Sequence, residues 1–79
     1  MPHVIIKLHP GRSHEQKSEL AQKIVEDVAC IAKCDKNVVS VSIEEVEPEE
    51  WNEKVYEPDI QKKQSQLIVK PGYGSLNEN

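Results

Sequence analysis

The chain has 79 residues, 37% hydrophobic and 30% charged, with ten Lys and Arg against fourteen Asp and Glu for a formal charge of −4. So short a chain is expected to form a single domain over residues 1–79 and to bury only a little over half of its unfolded surface, leaving part of its core to a partner subunit. The acidic balance, the scattered basic residues and the scarcity of aromatics (one Trp, two Tyr, no Phe) exclude a nucleic-acid surface, which needs clustered Lys and Arg. No run approaches the roughly 18 apolar residues of a membrane span and no export signal opens the chain, so a cytoplasmic protein with reduced thiols at Cys30 and Cys34 is expected.

From His3 to His9 the chain reads HVIIKLH. Val4, Ile6 and Leu8 alternate with His3, Ile5, Lys7 and His9, which predicts a strand with one wholly aliphatic face. Pro10-Gly11 ends it. Ser13-His14-Glu15-Gln16 fits a capping box and predicts a helix from Ser13. At about 100° per residue, Leu20, Ala21, Ile24, Val28, Ile31 and Ala32 share an arc of roughly 120°, with Glu19, Gln22, Lys23 and Glu26 opposite. This amphipathic helix of about 20 residues is expected to end near Cys34-Asp35-Lys36-Asn37. A second strand follows from Val38 to Val46, with Val39, Val41 and Ile43 on one face and Ser40, Ser42 and Glu44 on the other.

Strand, long helix and strand make a β-α-β unit of the α/β class, with parallel strands and a right-handed crossover that lays the helix on the aliphatic face. On the other face only Ile5, Val38 and Val46 are apolar, which suits solvent or a second sheet from a partner. Glu47 to Trp51 reads as a turn or one short helical turn with proline at its start. Glu57-Pro58-Asp59 is then expected to open a second, C-terminal helix carrying Ile60, Gln64, Leu67 and Ile68 at helical spacing. Lys70-Pro71-Gly72 stops it, and Tyr73 to Asn79 is a polar tail to be ordered by an oligomer contact.

Pro2 carries the most specific chemistry in the chain. Once Met1 is removed, the proline presents a secondary amine on a rigid ring, and the strand beginning at the next residue pins it. Such an amine titrates from a reference of about 8, and partial burial lowers that value toward neutrality, where it serves as a general base. Arg12, the only arginine, sits where its guanidinium and the first N–H groups of the helix can hold a carboxylate, or where it is simply a solvated surface residue. Cys30 and Cys34 lie off the apolar stripe, and neither they nor His3, His9 and His14 have ligand spacing, so no metal is implied. Trp51 either plugs a core edge or walls a pocket for a planar substrate.

Taken together, Pro2-His3-Val4-Ile5-Ile6-Lys7, Gly11-Arg12-Ser13 with Glu15-Gln16-Lys17, and the VSVSIEEV strand resemble the 4-oxalocrotonate tautomerase family, short β-α-β enzymes with a catalytic amino-terminal proline. Farther on, PEEWNEKVYEPDI and LIVKPGY are similar to its short proteobacterial subgroup, which acts on phenylpyruvate-like compounds as dimers where the larger family forms hexamers. The resemblance implies enol–keto isomerisation of 2-hydroxy or 2-keto acids without a cofactor, a 2-hydroxydienoate or enol-pyruvate as substrate, and a homodimer or hexamer. It implies Pro2 as general base and then acid, Arg12 on the substrate carboxylate, and Trp51 as the pocket's aromatic wall. The family's second arginine falls at Ser40, which implies weaker action on dicarboxylates, with Ser40 or a backbone N–H polarising the substrate oxygen. Two other functions stay open: a hydratase or dehalogenase of the same family, and a non-enzymatic oligomerising β-α-β module for which Met1-Pro2 is incidental.

Overall fold

The alternation of Val4, Ile6 and Leu8 with His3, Ile5 and Lys7 is realised as strand β1, His3–Leu8. The structure is a computed structural model that describes residues 1–74, and the chain divides into two compact units, Met1–Val46 and Glu47–Asn79.

In the first unit β1 pairs in parallel with β2, Ser40–Glu45. The register sets Val4 against Val41 and Ile6 against Ile43, so the aliphatic side chains of both strands line one face, as the period of two requires. His3 and Ser40, Ile5 and Ser42, and Lys7 and Glu44 make the rows of the other face. The helix α1, His14–Ile31, supplies the crossover. Its start is specified locally: Ser13 Oγ accepts the Gln16 N–H at 3.1 Å, while Gln16 Oε1 accepts the Ser13 N–H at 2.8 Å. A salt bridge of 3.2 Å between Lys17 and Glu45 ties the first turns of α1 to the end of β2.

Two boundaries differ from the expected ones for identifiable reasons. α1 stops at Ile31 because Lys33 adopts φ 59° and the Cys34 N–H reaches back to the Ala29 carbonyl at 3.0 Å, closing a Schellman turn. β2 begins at Ser40 and not Val38 because Asp35 caps a 3-10 turn over Lys36–Val38, its carboxylate accepting the Asn37 N–H at 2.8 Å.

The second unit corrects the expected C-terminal helix. The second helix is present, but Pro48 starts a 3-10 turn, Pro48–Glu50, and the helical path continues through Trp51 into a π-helix, Asn52–Gln61. Pro58 lies inside this helix and does not open it. In an α-helix the proline ring collides with the carbonyl four residues back. The wider π turn, seen in the bond from the Lys62 N–H to the Glu57 carbonyl at 3.0 Å, relieves that collision. Val55 and Tyr56 are the residues this helix buries. The expected stripe through Leu67 and Ile68 is not used: Gln64–Gln66 is a single 3-10 turn and Ile68 is 96% exposed. Of the expected polar tail, Tyr73 and Gly74 are described, and residues 75–79 lie outside the described residues. Among the described residues, no helix is long and apolar enough to cross a membrane.

Candidate active site

The start of β1 is fixed by its neighbour. The Ser40 N–H donates to the Pro2 carbonyl at 3.2 Å, extending the parallel ladder one residue beyond β1 and holding Pro2 at the end of the sheet. Pro2 is half-buried, whereas Met1 is fully exposed. The row above Pro2 pairs His3 with Ser40, and there His3 Nδ1 lies 2.6 Å from Ser40 Oγ. The structure therefore gathers Pro2, Ser40 and His3 at one end of the first unit. His3 is the residue that sequence reasoning passed over, since it has no ligand spacing; its signal was a shared outward face with Ser40, readable only once the register is known.

Arg12 stands at the other end of β1. Gly11, at φ 129°, turns the chain out of the strand, and Arg12 Nη1 then donates back to the His9 carbonyl at 3.2 Å. Six strand residues at about 3.3 Å each separate it from Pro2 by roughly 20 Å. A three-carbon acid cannot span that distance. Within one chain, then, the candidate base and the candidate carboxylate clamp are not brought together. The capping box engages two N–H groups at the start of α1, those of Ser13 and Gln16.

Trp51 belongs to the second unit. Its indole Nε1–H donates to Tyr73 Oη at 3.0 Å, and the Tyr73 ring tilts against Tyr56 with centroids 5.7 Å apart. These three rings, with Glu57 and Gln61, line a cavity of about 480 Å³, within the size range of small-molecule sites. Gly74 closes one side at φ 78°, and a Cβ built there would overlap the Tyr56 ring. Cys30 is exposed, Cys34 is partly so, and both are free thiols. Among the described residues no three His, Cys, Asp or Glu stand together as metal ligands.

Comparison with known proteins gives concordant results. Residues 2–53 match the family described as tautomerase enzyme, which takes in the strands, the long helix, Pro2, Arg12, Ser40 and Trp51. The chain is 40% identical over 76 residues to a probable tautomerase of Xylella fastidiosa (strain 9a5c), covering 96% of this chain and 93% of that one. It is likewise 40% identical over 74 residues to tautomerase PptA of Klebsiella pneumoniae (strain 342), covering 92% and 97% of the two chains. Among solved structures, it resembles TomN, a 4-oxalocrotonate tautomerase homologue of the tomaymycin biosynthetic pathway, with a TM-score of 0.62 and 22% identity over 81% of this chain and 95% of the other. At that identity the likeness to TomN concerns the fold.

Proposed function

From the premise that this chain belongs to the tautomerase family, and is an isomerase, we propose that it interconverts the enol and keto forms of a 2-hydroxy or 2-keto mono-acid, with Pro2 as the proton carrier after Met1 is removed. The observation that carries this reading is the bond from the Ser40 N–H to the Pro2 carbonyl. It anchors the ring to the sheet, so the amine freed by loss of Met1 is a positioned base and not a frayed end. The full exposure of Met1 leaves the Met1-Pro2 bond open to cleavage.

Starting from the keto acid, the neutral Pro2 amine takes a proton from the carbon beside the carbonyl. The electrons of that C–H bond pass to the 2-oxygen, and the protonated amine returns the proton there to give the enol. In the reverse direction the amine takes the enol proton and delivers it to carbon. Charge on the 2-oxygen is met by the Ser40 hydroxyl, at the same end of the sheet. A hydroxyl donates one hydrogen bond and carries no charge, which favours mono-acids over substrates with a second carboxylate near that oxygen.

Arg12 holds the substrate carboxylate, and its place at the far end of β1 requires that it come from a second copy of the chain. Assembly of at least a dimer is therefore part of the proposal. The family resemblance gives Trp51 the role of aromatic wall for the substrate's planar part; the cavity it lines with Tyr56 and Tyr73 lies within the second unit.

The decisive experiment is Pro2→Ala, prepared with Met1 removed and verified by intact mass. Turnover of phenylenolpyruvate is expected to fall by at least about a hundredfold, the scale of a lost general acid–base, with the circular dichroism spectrum unchanged. Full turnover in that variant would overturn the proposal, as would full activity in protein that retains Met1.

A further inference from the structure

The 2.6 Å contact between His3 Nδ1 and Ser40 Oγ joins two exposed side chains at the end of the sheet that holds Pro2. A serine hydroxyl has one proton and an unprotonated imidazole nitrogen is an acceptor, so the pair can bond in only two ways. If Ser40 donates to Nδ1, it turns lone pairs toward the substrate, and these repel an oxygen gaining negative charge. If Nδ1–H donates to Ser40, the hydroxyl proton is free for the substrate, and accepting the first bond strengthens it as a donor of the second. No other donor side chain on this sheet face stands in the same row. The Ser42 hydroxyl is one row along, roughly 7 Å away, and Lys7 two rows along, roughly 13 Å away at strand spacing, facing Glu44 at 3.9 Å.

We propose that His3 is a positioning residue for this reaction: its Nδ1–H donates to Ser40 Oγ and thereby aims the Ser40 hydroxyl proton at the 2-oxygen of the substrate. This rests on the Pro2-centred reading given above. His3 itself exchanges no proton with the substrate, and the proton that moves in the reaction still travels only between carbon, the Pro2 amine and the 2-oxygen.

The test uses full-length protein with Met1 removed. Ser40→Ala is expected to lower kcat about a hundredfold, as loss of a donor to a developing oxyanion does, and His3→Phe about tenfold through the weakened hydroxyl. Because His3 acts through Ser40, adding His3→Phe to Ser40→Ala lowers kcat by less than about twofold further. His3→Asn, whose side-chain amide can take the place of Nδ1, recovers most of the activity, which a general loss of packing would not allow. In a separate measurement, 15N-labelled histidine spectra of the neutral ring in wild-type protein show His3 protonated on Nδ1.

A neutral His3 protonated on Nε2, an additive double variant, or full kcat in His3→Phe would each overturn the inference. The two failures are separable. If the wild-type enzyme is inactive, or Pro2→Ala is fully active, the tautomerase reading has failed; if Pro2→Ala is inactive and His3→Phe keeps full kcat, only the role of His3 has.

Discussion

At the scale of single residues, Arg12 and Gly74 make opposite demands on the fold. Arg12 is exposed and its guanidinium is held by the His9 carbonyl, so its removal leaves packing untouched. Arg12→Ala is expected to shift stability by less than about 0.5 kcal/mol. Its effect falls on binding, where loss of a charge-assisted contact worth about 1.5–3 kcal/mol raises KM for a mono-acid enol by roughly 10- to 150-fold. Steady-state kinetics check this, and an unchanged KM would remove Arg12 from the site. Gly74 has no such chemistry. Its φ of 78° disfavours any side chain, and a Cβ there overlaps Tyr56, one of the few buried residues. Gly74→Ala is expected to destabilise the second unit by about 1–3 kcal/mol, read as earlier melting of the fluorescence of Trp51, the only tryptophan. These two residues also differ in legibility. A lone arginine after glycine is visible in the sequence as a candidate carboxylate ligand or a solvated surface residue; the collision at Gly74 needs the ring of Tyr56, eighteen positions away, to be placed first.

At the scale of elements, the signals that were local came through and those that competed did not. The period of two in β1 and the reciprocal Ser13–Gln16 cap depend on neighbours within four residues, and both stand as read. The end of α1 was harder, because Lys33 takes a left-handed backbone that normally signals glycine. An L-residue there costs about 1–2 kcal/mol. Lys33→Gly is accordingly expected to stabilise the chain by about 0.5–1 kcal/mol once the greater freedom of glycine in the unfolded state is counted, measurable as a higher midpoint in urea. No change, or a loss, would mean that the Lys33 side chain contributes packing that offsets the strain. The second helix shows the failure of a local rule. Proline suits the first turn, which predicts a short helical turn at Pro48 and a separate helix start at Pro58; the first start is real, but the helical path runs on from it through Pro58. The stretch between the two prolines carries Val55 and Tyr56, which this helix buries.

At the scale of the whole molecule, the chain is short of core. Among the described residues only Val46, Val55 and Tyr56 are buried, and no residue of α1 is, despite its apolar stripe. On the open sheet face Ile5 is 53% exposed. A thin core and a proposed base separated from its proposed carboxylate clamp by the length of a strand would have the same remedy, a second copy of the chain. Sedimentation is therefore expected to show a multiple of the chain mass, with a melting temperature that rises with protein concentration. Ile5→Glu, which costs a solvated face less than about 0.5 kcal/mol, is expected to weaken that assembly and activity together. A monomer at micromolar concentration with full activity would refute the shared site.

The residues alone were enough to specify the β-α-β unit, its aliphatic face, the cap of its helix and the presence of a proline beside a strand, because each follows from spacing along a few turns of chain. They were also enough to place Ser40 where a second arginine would stand in the resembling family. What they left undecided were the features that depend on register and burial: that Ser40 holds Pro2 through the backbone and His3 through its side chain, that Arg12 lies a strand's length away, and that the C-terminal helix widens around Pro58. Those depend on which residues far apart in sequence become neighbours, and that is determined by the packing of the folded chain as a whole.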